Sequence, residues 1–298
     1  MDYEFFTVDV FTDQQFGGNQ LAVLPNASGL DDMQMQRIAT EFNYAESTFV
    51  LPPEDDNHSA RVRIFTPAGE MPFAGHPNIG TTFVLAELNR LHADDGGCNG
   101  IFEEAAGLVE VQSVIEDGRR ISTIRAPRGL DMVESIPAEN AARTVGLGPS
   151  ELVGLAPVYA ESGVGYVVAE VANTETLSRT QADAVALAET LTSDVGTGAY
   201  VFTRSGHGEG FDCRARMFAP EMGVVEDAAT GSAACVLGAL LALERGRDGE
   251  HQLKIEQGIE MGRPSSISVR VVVQGGAVEA IYLSGPCVPM MHGTLTLD

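Results

Sequence analysis

The sequence predicts an α+β protein of two similar domains, each a curved, barrel-like, mainly antiparallel sheet around one central helix. Three observations carry this. A motif occurs twice, as Arg63-Ile64-Phe65-Thr66-Pro67 running into Gly75-His76-Pro77 and as Arg216-Met217-Phe218-Ala219-Pro220 running into Thr230-Gly231-Ser232. The copies are offset by 153 positions (218 − 65) in 298 residues, as two half-molecules of one design would place them. Each copy leads into a helix that is apolar round most of its girth, the first with Ile79, Phe83, Val84, Leu85, Ala86 and Leu88, the second from Ala233 through Leu243, and such helices are buried ones. The rest of the chain is dominated by period-2 stretches rich in Val, Ile, Phe and Thr, which read as strands. A sheet wrapped round a buried helix satisfies all three.

In order, strands are expected at Glu4 to Phe11, Gln20 to Leu24, Ser47 to Leu51, Ala60 to Phe65, Leu108 to Ile115 and Arg120 to Arg125. Between them Asp31 is placed to cap a helix carrying Met33, Ile38, Ala39 and Phe42, with Asn43 where that helix stops. Pro77 is read as the first helical position of the buried helix, where its missing N–H costs nothing. The second half repeats the scheme, with strands near Tyr166 to Val171, Ala199 to Thr203, Phe211 to Phe218, Gln252 to Glu256, Ile267 to Val273 and Val278 to Leu283, and an amphipathic helix from about Glu175 to Leu191. Pro52 to Asn57 and Ala93 to Gly100 are acidic or Gly-containing and read as surface loops. Gly163-Val164-Gly165 and Gly206-His207-Gly208 lack Rossmann spacing and read as hairpin turns. The boundary is placed near Asp117-Gly118, giving domains of 1–118 and 119–284, with a last strand at about 285–298 that alternates and returns to the first domain.

Composition narrows the function classes. Asp plus Glu total 42 against 18 Lys plus Arg, a formal charge of −24, so nucleic acid and anionic membrane are repelled. Only Lys254 is lysine. This acidic, lysine-poor make-up predicts a halophilic source; the alternative, a GC-rich genome, explains the missing lysine but less well the acid excess. No apolar run reaches bilayer length and Asp2 and Glu4 stand where a secretion signal has basic residues, so a cytoplasmic location is expected. Cys98, Cys213, Cys235 and Cys287 are far apart and the six His show no ligand spacing, so no metal site is expected.

The chemistry is expected at the two helix starts. Gly75 lets a ligand approach the backbone, and the electropositive amino end of a helix favours an anion. Thr230-Gly231-Ser232 offers the same arrangement with a hydroxyl added. Two such ends facing one cleft make a carboxylate pocket that needs neither metal nor arginine. Glu46, flanked by Tyr44, Ala45 and Phe49, is a candidate acid/base whose desolvation raises its pKa toward neutrality. His76 at a helix start should be a neutral ring able to donate and accept a proton, and Asp227 stands just before the second helix. Each has a plain alternative: a solvated strand-end glutamate, a turn histidine, a capping aspartate.

At these residues the chain resembles the phenazine-biosynthesis isomerase family, the PhzF-like proteins. The likeness is carried by Phe-Thr-Pro-Ala-Gly-Glu-Met-Pro-Phe-Ala-Gly-His-Pro (Phe65 to Pro77), Arg-Met-Phe-Ala-Pro (Arg216 to Pro220), Glu-Asp-Ala-Ala-Thr-Gly-Ser (Glu226 to Ser232), Phe-Gly-Gly-Asn (Phe16 to Asn19) and Gly-Arg-Pro-Ser (Gly262 to Ser265). The resemblance implies a diaminopimelate-epimerase-like fold, an active site between two domains, no cofactor, and a homodimer. It makes Glu46 the catalytic glutamate with His76 and Asp227 assisting, and Gly75, Pro77, Thr230, Gly231, Ser232 and Asn19 the substrate binders. Gln20 and Ala228 stand where the family commonly has proline, which bears on pocket shape rather than on any reactive group. The implied reaction moves a proton between carbons of a small, cyclic, unsaturated carboxylate, in the manner of 2,3-dihydro-3-hydroxyanthranilate isomerisation. Two alternatives stand beside it: a two-base amino-acid epimerase or racemase, disfavoured because the motif positions hold His76 and Asp227 rather than a cysteine pair, and a carboxylate-binding protein without chemistry.

Overall fold

The computed structural model describes residues 1–190 and 197–297. The chain divides into two compact units, 1–127 with 282–298 and 128–281.

The first unit contains β1 (Asp2–Val10), β2 (Asn19–Leu24), α1 (Asp32–Phe42), β3 (Glu46–Leu51), β4 (Ala60–Phe65), β5 (Glu70–Met71), α2 (Gly75–Glu87), β6 (His92–Asp94), β7 (Gly97–Glu104), β8 (Gly107–Glu116) and β9 (Arg119–Arg125). The second contains β10 (Met132–Ser135), α3 (Ala138–Thr144), β11 (Val158–Glu161), β12 (Gly165–Glu170), α4 (Thr174–Ser178), α5 (Ala184–Thr190), β13 (Thr197–Thr203), β14 (Cys213–Ala219), β15 (Val224–Asp227), α6 (Gly231–Glu244), β16 (Gly249–Gln257) and β17 (Ser265–Gln274). The last strand, β18 (Ala277–Thr296), begins in the second unit and from Tyr282 onward belongs to the first.

Strand pairing closes the first unit into a ring, β1–β2–β3–β4–β7–β8–β9–β18 and back to β1. Only the β2–β3 and β4–β7 contacts are parallel. A closed sheet has no unpaired edge and leaves an interior that side chains must fill. Helix α2 fills it: every residue from Gly75 to Ala86 is buried, and the helix packs on β1, β2, β3, β8 and β9. Gly80 permits that depth, since a Cβ there would stand 2.5 Å from Leu21 Cδ2 and 2.8 Å from Val10 Cγ2.

The second unit repeats the order. Antiparallel β11–β12, parallel β12–β13, antiparallel β13–β14, parallel β14–β16 and antiparallel β16–β17 match β1–β2, β2–β3, β3–β4, β4–β7 and β7–β8 in turn. Its buried helix is α6, packed on β12, β16 and β17, and Gly238 repeats the close approach, with a Cβ 2.6 Å from Val269 Cγ1. The duplicated motif holds equivalent positions. In each copy an arginine on the longer strand makes a two-pronged ion pair with a glutamate on the following short strand, Arg63 with Glu70 and Arg216 with Glu226, and each guanidinium lies over the phenylalanine two residues on, at 5.1 and 4.8 Å from the ring centre. The offset grows from 153 at the strand to 156 (231 − 75) at the helix start, the second copy carrying the extra turn Pro220–Met222.

Some expectations need correction. The units divide after Pro127, because Asp117-Gly118 is a two-residue hairpin turn in which both residues have positive φ and β8 pairs tightly with β9. Ala93 to Gly100 is not a loop: most of it lies in β6 and the start of β7, and β7 pairs with β8 on one side and β4 on the other. The helix expected from Glu175 to Leu191 is broken into α4 and α5, and Leu191 lies outside the described residues. The break is stabilised by Arg216, whose Nη1 donates to the carbonyls of Leu177, Ser178 and Thr180, while Asp183 caps α5 by accepting from Ala186 N. Helix α1 begins as expected, with a reciprocal Asp31–Gln34 cap, and ends at Asn43 in the left-handed region.

Candidate active site

In the first unit, β2, β3 and α2 bring three candidate residues together. Glu46 is the first residue of β3, Asn19 the first of β2, and His76 the second of α2. Glu46 Oε2 lies 3.3 Å from His76 Nε2, and Asn19 Nδ2 lies 3.5 Å from His76 Nδ1 on the other side of the ring. The imidazole is 4 % exposed, and burial pushes its pKa down to about 3, a hydrogen bond with the Gln20 backbone pulling weakly the other way. The expected neutral ring is therefore present, but its cause is desolvation more than the helix end. With the ring neutral, its contact with Glu46 is not an ion pair. A neutral imidazole still carries one N–H, and with the Asn19 amide beside Nδ1 a ring proton on Nε2 would face the Glu46 carboxyl.

Pro77 is the third residue of α2 rather than the first. It is tolerated because no N–H in the first turn has an intrahelical acceptor. Ala74, at the cap position, has no side-chain oxygen to offer, so the first-turn amides of Gly75 and His76 receive no side-chain cap.

In the second unit, Asp227 ends β15 and Gly231 opens α6. Thr230, the cap residue, does not turn its hydroxyl onto the helix; it donates to Asp227 Oδ2 at 2.6 Å. Ser232 Oγ is 2.7 Å from the Tyr166 hydroxyl, which β12 supplies. Behind them Gln257 acts as a clamp. Its Nε2 donates to Asp227 O at 2.8 Å and to Thr230 Oγ1 at 3.0 Å, and its Oε1 accepts from Thr230 N at 3.3 Å and the Tyr200 hydroxyl at 3.1 Å.

Tyr166, Tyr200 and Gln257 are not among the residues the sequence singles out. Gln257 carried a signal: Leu253, Ile255 and Gln257 alternate on the inward face of β16, and a glutamine in an apolar phase, fully buried, must have partners. Tyr166 had none, since its hydroxyl finds Ser232 only through the fold. Cys235, one turn into α6, is fully enclosed, and burial pushes its thiol up to about 12.

Known proteins resemble this chain along its whole length. It is 39% identical over 302 residues to an uncharacterised isomerase of Mesorhizobium japonicum, covering 98% of each chain. It is 36% identical over 284 residues to the trans-2,3-dihydro-3-hydroxyanthranilate isomerase of Pseudomonas aeruginosa, covering 95% of each. The structure superposes on a phenazine biosynthesis protein of the PhzF family from Bacillus anthracis with a TM-score of 0.89 at 26% identity, covering 100% of both chains. The sequence pattern of the phenazine biosynthesis-like proteins, PhzC-PhzF, matches residues 8–293, and the chain belongs to that family of isomerases.

Proposed function

We propose that this protein is a cofactor-independent isomerase that takes a proton from one carbon of a small, cyclic, unsaturated carboxylate and returns it to another, with Glu46 as the carrier. The observation that carries this is the Glu46–His76 pair: a carboxyl 3.3 Å from a buried ring held neutral. Ionised Glu46 takes the proton as the C–H bond breaks, the electron pair delocalises toward the substrate carboxylate, and the resulting acid delivers the same proton to the new carbon. His76 and Asp227 assist. Gly75 and Pro77 in the first turn of α2, Thr230, Gly231 and Ser232 at the start of α6, and Asn19 at the start of β2 serve as the carboxylate binders.

The 36% identity to an anthranilate-type isomerase supports a cyclic substrate of that class. The protonated state of buried Cys235 weighs against a thiolate two-base epimerase. The net charge of −24 weighs against nucleic acid or anionic membrane as a partner, and the working form is taken as a homodimer, as the family resemblance implies, with the cytoplasm as the location expected from the sequence. Among the described residues no helix is long and apolar enough to cross a membrane.

A panel of cyclic and amino-acid carboxylates incubated in deuterated, high-salt buffer and followed by proton NMR tests the reading. Exchange at carbon with migration of unsaturation is expected, and Glu46→Gln should lower its rate by roughly 10²- to 10⁴-fold with little change in melting temperature. Inversion at a single centre instead would make the protein an epimerase. A carboxylate that binds without any exchange would leave it a binding protein.

A further inference from the structure

The stretch from Gly258 to Ser265 joins β16 to β17 and takes no part in the chemistry above. It lies against the turn that carries Asp227. Ser265, the first residue of β17 and 3 % exposed, donates its hydroxyl to Ala228 O at 2.9 Å, with Arg263 O at 3.1 Å as a second acceptor. Gly258 comes as close from the other end of the connection. Its φ is +76°, and a Cβ there would stand 2.6 Å from Ala228 O and 2.3 Å from Arg263 O. Arg263 N closes the connection by donating to Gly258 O at 3.0 Å. Ala228 is itself buried, so its carbonyl has to find a donor within the protein.

The first unit holds the corresponding carbonyl. The helix-start glycines Gly75 and Gly231 differ by 156 positions, and so do Pro72 and Ala228 (228 − 72). Pro72 O accepts from Ala106 N at 3.0 Å, and Ala106 lies in the two-residue turn between β7 and β8, the strands that match β16 and β17. Both copies thus fasten the carbonyl three residues before the helix-start glycine to the connection behind it. The donor differs: a backbone N–H in one copy, a side-chain hydroxyl in the other. The residue before the carbonyl differs too, Met71 in the first copy and Asp227 in the second. Asp227 O accepts from Gln257 Nε2 at 2.8 Å and Ala228 O from Ser265, so two successive carbonyls are pinned from the two ends of one connection. The Thr230 hydroxyl, bonded to Asp227 Oδ2 at 2.6 Å, then sets the carboxylate.

We propose that Ser265 is a positioning residue: by holding Ala228 O it fixes the turn from Asp227 to Gly231, and with it the carboxylate of Asp227. The inference rests on the proposed function only for what Asp227 does. Amide hydrogen exchange in the labelled full-length chain, without substrate, reads the turn directly. Ser265→Ala should speed exchange at Thr230 and Gly231 by more than about tenfold, while Val269 and Val271, further along β17, keep their wild-type rates. Ser265→Thr keeps the hydroxyl and should restore slow exchange. The carbon-13 signal of the Asp227 carboxyl should shift in the alanine variant and return in the threonine one.

On a substrate found by the carboxylate panel, Ser265→Ala should lower kcat by roughly ten- to hundredfold with a smaller change in KM, and threonine should recover most of the loss. A residue that only stabilised the fold would lower the melting temperature and leave kcat per folded molecule as it was. Wild-type exchange at Thr230 and Gly231 in Ser265→Ala, an unshifted Asp227 carboxyl, or a threonine variant no better than the alanine one would overturn the proposal. Should the alanine variant fail to fold, Ser265→Cys, of similar shape with a weaker donor, takes its place with the same expected directions. Asp227→Asn separates the two readings: unchanged turnover there refutes the part given to Asp227, while the exchange rates still decide what Ser265 holds.

Discussion

His76 shows how one side chain is set by its enclosure. An imidazole whose folded pKa is lowered from 6.5 to about 3 contributes to stability only while neutral. That contribution is complete above about 6.5 and is lost as pH falls through the window down to about 3. Urea denaturation of the wild type and of His76→Gln across this window should therefore diverge. The wild type should lose stability more steeply on acidification, by an amount on the order of a few kcal/mol, because only it must charge a buried ring or unfold to do so. His76 and Asp227 were singled out from contiguous motifs, and Glu46 from the apolar residues that flank it. Tyr166 was not, because what matters about it is a partner 66 residues away (166 to 232) that no local spacing encodes, and for Gln257 the period of β16 gives its burial but not the turn it holds.

At the scale of elements, the two copies of strand, short strand and helix are the part of the fold most open to reading. β4, β5 and α2 in one unit and β14, β15 and α6 in the other both use an arginine fork and a phenylalanine to hold the short strand that leads to the buried helix. β6 and β7 escaped notice because glycine, asparagine and acidic residues dominate Ala93 to Gly100, and their strand character comes from pairing on both sides. The break between α4 and α5 escaped for a related reason: an apolar period runs through it, and the distant Arg216 ties together carbonyls freed there. Gln257 does the same service for the turn between β15 and α6. Replacing it by leucine leaves Asp227 O, Thr230 N and the Tyr200 hydroxyl without their partner, at about 1–3 kcal/mol for each buried group that water does not reach. Gln257→Leu should accordingly lower the urea midpoint sharply, and Gln257→Glu less so.

For the molecule as a whole, the dominant quantity is charge. With 42 acidic and 18 basic side chains, self-repulsion opposes folding at low ionic strength. Raising salt from 0.1 M to 1 M shortens the screening length from about 10 Å to about 3 Å, so the melting temperature should climb by several degrees between low and molar sodium or potassium chloride. A flat or falling melting temperature would remove the case for a halophilic source.

The pairing of β1 with β18 ties Asp2 to Thr296, residues 294 apart in the chain. During synthesis the opening strand therefore emerges long before its neighbour exists. The intervening unit, 128–281, is continuous and has its strand partners at hand, so it is positioned to mature first, while the other holds two unsatisfied strand margins until the final segment arrives. In that interval the incomplete barrel is the species most exposed to edge-to-edge association, and its repulsive surface is then a safeguard as well as a burden.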